Sequence, residues 1–322
     1  MPKIPKLMTA AVIDRFGPPG VIKIRQLPVP EIGPGEVLIA LHSAGVGPWD
    51  ADIRGGWSPT GKPPDFPLVL GADGAGVIAA VGSRVRRLRV GDRVYSFGWN
   101  FPKNGFYAEY VAVAADVTAK IPGRLDMLQA GAVPITALTA LRGIDDILNL
   151  KRGETIIVHG ASGGVGNMAL QFAKLRGARV LATASGNDGV KLVRKLGADA
   201  AVEGHSKDIT SAARQFAPHG VDAIFAAAGG AALTQCLDAL RPGGRIAYPN
   251  GVEPEPKKRP KIKRTSYDAV AGRRSFEQLA RAFKSAKIQV PIAAIFPLAR
   301  AAEAHRQLAK GHVLGKIVLR IR

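Results

Sequence analysis

A glycine-rich run near the middle of the chain has the spacing of a phosphate-binding turn. Residues 160–166 read Gly-Ala-Ser-Gly-Gly-Val-Gly, between a β-branched run at 155–159 and residues of helical composition at 167–174. A strand, a glycine turn and a helix N-terminus present backbone N–H groups and a positive dipole to a pyrophosphate, and the missing side chains let the phosphates approach the backbone. The run therefore predicts a dinucleotide site. Its candidate contacts are Gly160, Ser162, Gly163, Gly164, Val165 and Gly166.

The end of the next apolar run bears on which dinucleotide is bound. Folds that prefer NAD place an Asp or Glu there for the ribose hydroxyls, whereas this chain has Ser185, followed by Lys191. An acid would repel a 2′-phosphate, while a hydroxyl and a nearby cation can hold one. We therefore expect NADPH as the cofactor. The acids Asp188 and Glu203 keep NADH open as an alternative, and Ser185 could instead be only a helix cap.

Apolar runs alternate with helical runs in the middle of the chain and predict an α/β fold. The apolar runs are residues 155–159, 179–183, 200–202, 222–226 and 245–248. This alternation predicts a Rossmann-type, doubly wound parallel sheet with helices on both faces. The first third is rich in Gly and Pro and has short extended runs such as 36–41 and 76–81, which predict a compact β-rich domain. Near the C-terminus, residues 275–285 and 298–310 look helical and 316–321 looks like a strand.

Composition bounds the class of protein. The 322 residues are 47% hydrophobic, which is enough for a large core and two domains. Forty-five Lys and Arg against 25 Asp and Glu give a net charge of +20, which attracts anions of any kind, nucleic acid included. The basic clusters at 84–89 and 257–264 contain no aromatic residues for stacking on bases, so we interpret both as solvated faces. A nucleotide-regulated nucleic-acid-binding protein with little turnover stays open as the alternative.

Compartment and membrane partners can be addressed from the same composition. The first residues contain charges and prolines and no apolar core of signal-peptide length, and no apolar run is long enough to span a bilayer. Cys236 is the single cysteine, so the chain forms no internal disulfide and no cysteine-rich zinc cluster, and we expect it to be a small core residue. The sequence therefore predicts a soluble, cytoplasmic protein without a membrane partner.

Further motifs along the whole chain carry a family resemblance. They read Phe-Gly at 16–17, Pro-Gly-Glu-Val-Leu at 34–38, Gly-Ala-Asp-Gly-Ala-Gly at 71–76, Gly-Asp-Arg-Val at 91–94, Leu-Gly-Ala-Asp at 196–199 and Gly-Lys-Ile-Val at 315–318. With the glycine turn, their order resembles that of the medium-chain dehydrogenase/reductases, and most closely the zinc-independent quinone oxidoreductase and enone reductase branch. The resemblance implies a GroES-like catalytic domain at 1–123, a Rossmann nucleotide-binding domain at 124–270 and a C-terminal return to the catalytic domain at 271–322.

The resemblance also implies a chemistry. Zinc-dependent relatives hold the metal with Cys and His, but the corresponding stretches here read Gly-Pro-Trp-Asp at 47–50 and Gly-Ala-Asp at 71–73, so we expect no metal. Without a Lewis acid, a conjugated acceptor that spreads the incoming charge suits the site better than a simple ketone. We therefore expect NADPH-dependent hydride transfer to a quinone or an α,β-unsaturated carbonyl, with protons supplied by water. Departures at Gly47 and Gly204 leave open a degenerate member that only binds the cofactor.

Several single residues are nominated by motif position. The residues expected beside the nicotinamide or closing the cleft are Thr139, Ala227, Asn250, Gly251, Leu314 and Lys316. On the acceptor side we nominate Trp49, Asp50 and Arg54, because an aromatic face and a guanidinium suit a flat, oxygen-bearing acceptor. An internal Asp50–Arg54 ion pair is the alternative for the last two. Relatives often form homodimers through the edge of the nucleotide-domain sheet, and residues 262–267 are the candidate edge strand.

Overall fold

The computed structural model describes residues 4–59, 61–62, 64–98, 105–205 and 208–322. Most of the segment 98–105, one of the loops on which the shape of the acceptor pocket is expected to depend, therefore lies outside the described residues. The strands are β1 (Leu7–Ile13), β2 (Lys23–Pro28), β3 (Glu36–Val46), β4 (Leu68–Val69), β5 (Asp73–Val81), β6 (Arg93–Phe97), β7 (Tyr110–Ala114), β8 (Thr118–Lys120), β9 (Thr155–His159), β10 (Arg179–Ala184), β11 (Ala200–Glu203), β12 (Val221–Ala226), β13 (Leu240–Pro249), β14 (Lys263–Tyr267), β15 (Ile292–Pro297) and β16 (Lys316–Arg320).

Helices connect these strands. They are α1 (Pro48–Gly55), α2 (Met127–Ala132), α3 (Pro134–Arg142), α4 (Gly164–Leu175), α5 (Gly186–Lys195), α6 (Ile209–Phe216), α7 (Ala231–Asp238), α8 (Arg273–Ser285) and α9 (Ala301–Ala309). Shorter 3₁₀ turns lie at Pro19–Val21, Ala115–Val117 and Leu298–Arg300, and a π-helical turn at Gly143–Ile147 extends α3. Among the described residues, no helix has the length and apolar composition needed to cross a lipid bilayer.

The nucleotide-binding half is a six-stranded parallel sheet in the order β11-β10-β9-β12-β13-β14. Side chains of β9 alternate between its two faces. Ile156 packs with Phe172 of α4 on one face, and Ile157 packs with Leu237 of α7 on the other. Both faces are buried, which explains why the strands read as apolar runs and confirms the doubly wound prediction. Strand order reverses between β9 and β12, and such a reversal opens a crevice at the carboxyl ends of the strands.

The β-rich half is built on a sheet in the order β15-β16-β3-β5-β6-β8, with β7 also paired to β3. The C-terminal strand β16 runs antiparallel to β3, with Ile317 opposite Val46 and Leu319 opposite Ala44. A separate three-stranded sheet has the order β2-β1-β4. The last residues of the chain therefore complete a sheet whose other strands come mainly from the first third.

One backbone contact joins the two halves. The N–H of Gly315, just before β16, donates to the carbonyl oxygen of Ser162 at 2.9 Å, and Gly315 forms an isolated parallel bridge with Gly163. The C-terminal strand thus begins on the glycine turn that follows β9. This junction is the wall of the cleft described below.

Candidate active site

The glycine turn after β9 has the geometry of an anion cradle. Gly160 has a φ of +72°, a left-handed conformation that glycine adopts readily. A Cβ on Gly166 would lie 2.1 Å from the carbonyl oxygen of Gly160, so only a hydrogen there lets α4 pack this close to the turn. Gly163 precedes α4 and supplies no side-chain cap to the first turn of the helix. The first N–H groups of α4 are therefore oriented for an anionic ligand, as a dinucleotide pyrophosphate requires.

A cavity of about 830 Å³ lies between the two halves, next to this turn. It falls within the usual size range of small-molecule and cofactor sites. Many of the residues nominated from the sequence line it. These are Trp49, Thr139, Gly160, Gly163, Gly164, Val165, Gly166, Ala227, Asn250, Gly251 and Lys316. The cavity thus joins the predicted pyrophosphate cradle, the predicted nicotinamide side and one predicted acceptor residue in a single space.

Two other nominated residues support the turn from outside the cavity. The Ser162 hydroxyl accepts a hydrogen bond from the N–H of Ser185 at 3.3 Å, which ties the turn to the end of β10. The Leu314 side chain lies 3.4 Å from the position that a Cβ on Gly189 would take, so it packs over the first turns of α5. Ser162 thus ties the turn to β10, Leu314 packs against α5, and neither residue lines the cavity itself.

The end of β10 contains a hydrogen-bonded group that the sequence did not reveal. The Ser185 hydroxyl lies 3.1 Å from Nδ1 of His312, and Nε2 of His312 lies 2.9 Å from Oδ2 of Asp188. Ser185 occupies the N-cap position of α5, but its side chain makes no cap hydrogen bond to that helix. Lys191 is exposed on α5. His312 comes from the segment between α9 and β16, and no local pattern indicates that it would reach Ser185.

Asp50 and Arg54 lie behind the cavity wall. The side chain of Asp50 is fully buried, and its Oδ2 accepts a hydrogen bond from the N–H of Gly47 at 2.8 Å, which closes the N-terminus of α1. Arg54 is buried too, and its Nη1 donates to the carbonyl oxygen of Gly17 at 2.6 Å. Neither residue lines the cavity, and they form no ion pair with each other within the part of the chain that the structure describes. Of the three acceptor-side nominees, only Trp49 faces the cavity.

Other cavity residues went unnoticed in the sequence. The Thr136 hydroxyl donates to the carbonyl oxygen of Ala132, and the Tyr267 hydroxyl donates to that of Thr139 at 2.9 Å. The Thr139 hydroxyl itself donates to Ile135 at 2.6 Å, the helix-internal hydrogen bond considered as its alternative role. Its oxygen still lines the cavity and keeps acceptor capacity.

Three buried ionisable side chains, one of which lines the cavity, interact electrostatically with one another. Lys316, Asp73 and Asp50 have exposed fractions of 5%, 0% and 0%. Burial lowers the pKa of Lys316, and the negative charges of Asp73 and Asp50 oppose that shift. Burial raises the pKa of Asp50 to about 7 and also raises the pKa of Asp73, in both cases against the attraction of Lys316. The aspartates therefore favour the ammonium form of Lys316.

The side chains available as metal ligands in this part of the structure do not fit a zinc site. Gly47 and Ala72 occupy the positions where zinc-dependent relatives carry metal ligands, and neither has a donor side chain. In the described ranges, no group of three or more His, Cys, Asp or Glu side chains is placed to hold a metal ion. Asp73 instead accepts a hydrogen bond from the N–H of Ile135 at 3.1 Å.

Comparisons with known proteins identify the family and agree with the fold. The family model for the alcohol dehydrogenase GroES-like domain matches residues 33–123, and the model named zinc-binding dehydrogenase matches residues 196–319. Human quinone oxidoreductase is 32% identical over 330 residues, covering 98% of both chains. The chloroplastic NADPH-dependent alkenal/one oxidoreductase of Arabidopsis thaliana is 32% identical over 326 residues, covering 98% of this chain and 80% of that one.

The chain belongs to the medium-chain dehydrogenase/reductase superfamily, in its quinone oxidoreductase and enone reductase branch. Among solved structures, mycobacterial Rv1454c in complex with NADPH superposes with a TM-score of 0.85 at 29% identity, covering 98% of this chain and 100% of that one. Membership confirms the predicted family, the GroES-like and Rossmann fold class and an oxidoreductase that uses a nicotinamide cofactor.

Two glycine variants test two roles of the cradle: one variant tests the packing of α4 against the turn, and the other tests the binding of the cofactor. We expect Gly166→Ala to lower the free energy of unfolding by about 1–3 kcal/mol, because its Cβ has no room beside Gly160. Gly163→Ala has ordinary contacts, with its Cβ 3.5 Å from the nearest atom, so we expect normal stability but at least about tenfold weaker NADPH binding. Chemical denaturation and fluorescence titration measure the two effects. Unchanged NADPH affinity in Gly163→Ala would contradict the cradle.

Proposed function

We propose that this chain reduces quinones or α,β-unsaturated carbonyls with NADPH. The observation that carries the proposal is the single cavity that unites the glycine cradle with an acceptor space lined by Trp49 and Lys316. The bound nicotinamide supplies hydride, and the protein must hold the acceptor against it, because positioning accounts for much of such a rate gain. The names of the human and Arabidopsis relatives support this acceptor class. The nucleic-acid alternative gains no support from the comparisons.

Each group of cavity residues receives a role in this proposal. The backbone N–H groups of Gly164, Val165 and Gly166 bind the pyrophosphate. Thr139, Ala227, Asn250 and Gly251 border the nicotinamide, and the indole of Trp49 forms a flat wall for the acceptor. Asp50 and Arg54 act indirectly. Their hydrogen bonds fix the two ends of α1, and α1 in turn sets the orientation of Trp49.

The preference for NADPH over NADH rests on the group at the end of β10. Ser185 stands where an NAD-binding fold has an acid, and its hydroxyl is in contact with His312. The Ser185 hydroxyl can donate a hydrogen bond to a 2′-phosphate, and the net charge of +20 favours the more anionic cofactor. The NADPH complex of Rv1454c and the NADPH-dependent Arabidopsis relative support the same assignment.

We also propose a cytoplasmic location, because the buried free thiol of Cys236 suits a reducing compartment.

The function is tested by following the reduced-nicotinamide absorbance of chelator-treated protein. We expect acceptor-dependent oxidation of NADPH with a small quinone or a short enone, and slower oxidation with NADH. The cofactor and the acceptor are each omitted in turn as controls. Binding of NADPH without turnover of either acceptor would contradict the proposed reaction and favour a member that only binds the cofactor.

Cofactor choice is tested by Ser185→Asp. A carboxylate at this position repels the 2′-phosphate, so we expect the Michaelis constant for NADPH to rise at least about tenfold while that for NADH changes much less. Ser83→Asp introduces the same charge at an exposed site outside the cavity and should change neither constant. Equal effects of Ser185→Asp on the two cofactors would contradict the role of Ser185 in binding the 2′-phosphate.

We further propose a homodimer formed through β14. This strand ends the six-stranded sheet, as expected for residues 262–267, and its outer edge has no partner strand within the described residues. Unpaired edge strands pair readily with a second copy. We expect sedimentation at micromolar concentration to give twice the chain mass, and a monomer mass would contradict this assembly.

A further inference from the structure

We propose that Lys316 is a catalytic residue that stabilises the negative charge formed on the acceptor oxygen during reduction. The inference rests on the proposed function, because it assigns a role within the same cavity. It differs from the role given by motif position, in which Lys316 only closes the cleft over the cofactor. Three observations carry it: an unpartnered ammonium, carboxylates that hold its charge, and the lack of another cation in the cavity lining.

The ammonium of Lys316 has no hydrogen-bond partner among the residues that the structure describes. Lys316 is 5% exposed and lines the cavity, yet its Nζ makes no hydrogen bond. The nitrogen lies 4.3 Å from the ring centroid of Trp49, whose Nε1 is also buried without a partner. Because buried polar groups are almost always hydrogen-bonded, two free donors on one cavity wall indicate an oxygen atom supplied by a ligand.

Two carboxyl groups oppose the lowering of the Lys316 pKa that burial causes. Cε of Lys316 and Oδ1 of Asp73 lie 2.9 and 2.6 Å from the position that a Cβ on Gly45 would take, so the two side chains meet over a glycine. Oδ1 of Asp73 has no hydrogen-bond partner among the described residues, and the negative charges of Asp73 and Asp50 both attract the ammonium. A charge fixed in this way needs no reorganisation when the acceptor becomes negative.

No other described side chain of the cavity lining can supply this charge. Lys316 is the one Lys or Arg there, and the lining contains no His. The hydroxyls of Thr139 and Tyr267 already donate to backbone carbonyl oxygens, and Asn250 donates to Asp268 at 2.8 Å. The acids Asp52, Glu253 and Asp268, which also line the cavity, would oppose a negative charge. The acceptor oxygen is therefore stabilised best beside Lys316 and Trp49.

The electron count of enone reduction explains the need for a cation. When hydride forms the new C–H bond at the β-carbon, the C=C pair moves toward the carbonyl carbon and the carbonyl pair moves to oxygen. One negative charge then resides on that oxygen, where the Lys316 ammonium donates a hydrogen bond to it. Water donates a proton to the α-carbon and leaves as hydroxide, which the solvent neutralises, while the C=O bond forms again. The products are the neutral saturated carbonyl compound and the oxidised nicotinamide that supplied the hydride. Lys316 keeps its proton throughout and acts by charge and hydrogen bonding.

The test uses 4-nitrophenol, whose phenolate oxygen resembles the charged acceptor oxygen and whose ionisation is visible by absorbance. With NADP⁺ present, we expect binding to wild-type protein to lower the pKa of the nitrophenol by at least about one unit. Lys316→Met should abolish this shift and weaken binding at least about tenfold, while Lys316→Arg should restore part of it. NADP⁺ affinity should change less than about threefold in each variant, in keeping with a role toward the acceptor.

The control is Lys310→Met, which removes the same charge from the exposed C-terminal end of α9 and should leave the spectrum unchanged. Thermal unfolding confirms that each variant is folded. A pKa shift that persists in Lys316→Met, or a variant that loses NADP⁺ binding in place of nitrophenol binding, would overturn the inference.

Turnover measurements separate a failure of this inference from a failure of the proposed function. If wild-type protein reduces no acceptor, the function fails, and if Lys316→Met reduces an enone as fast as Lys310→Met, only the role of Lys316 fails.

Discussion

The contact between Gly315 and the glycine turn organises the site. Its hydrogen bond to the carbonyl oxygen of Ser162 starts β16 directly on the cofactor cradle, and β16 then continues into the sheet of the other half. Gly315 has a φ of +102°, and a Cβ there would lie 2.2 Å from the carbonyl oxygen of Pro291. Only glycine therefore permits this crossing. The next residue, Lys316, is placed between cradle and acceptor by the same backbone geometry.

The buried charge of Lys316 explains why Asp50, which does not line the cavity, is a carboxylate. Burying a cation costs free energy unless opposite charges lie nearby, and Asp73 and Asp50 provide them. Asp50 also caps α1 through the N–H of Gly47, so one carboxylate both positions Trp49 and supports the cation. A lysine ammonium is a weaker electrophile than a metal ion, and a conjugated acceptor accords with it.

Much of the fold could be predicted from the sequence, because local patterns specify it. Strands such as β9 and β10 are short apolar runs followed by helices, and their pattern alone identifies the doubly wound sheet. Strand β15 was not predicted, since its side chains alternate between half-buried and exposed and leave no apolar run. Within the candidate site, the phosphate-binding cradle could be predicted from the spacing of its glycines. Asp50 was nominated beside Trp49, but neighbouring helix residues point in different directions, and only Trp49 reaches the cavity. The contact of His312 with Ser185 joins distant segments and leaves no local trace.

The central claim is that one cleft holds the dinucleotide on the glycine turn and the acceptor oxygen on Lys316. A crystal structure of the protein with NADP⁺ and a bound enone or phenolate tests it most directly. The account predicts the pyrophosphate at the N–H groups of residues 164–166 and the acceptor oxygen within about 2.7–3.2 Å of the Lys316 ammonium. A cofactor pyrophosphate held by Lys316, with the acceptor oxygen bound elsewhere, would contradict it.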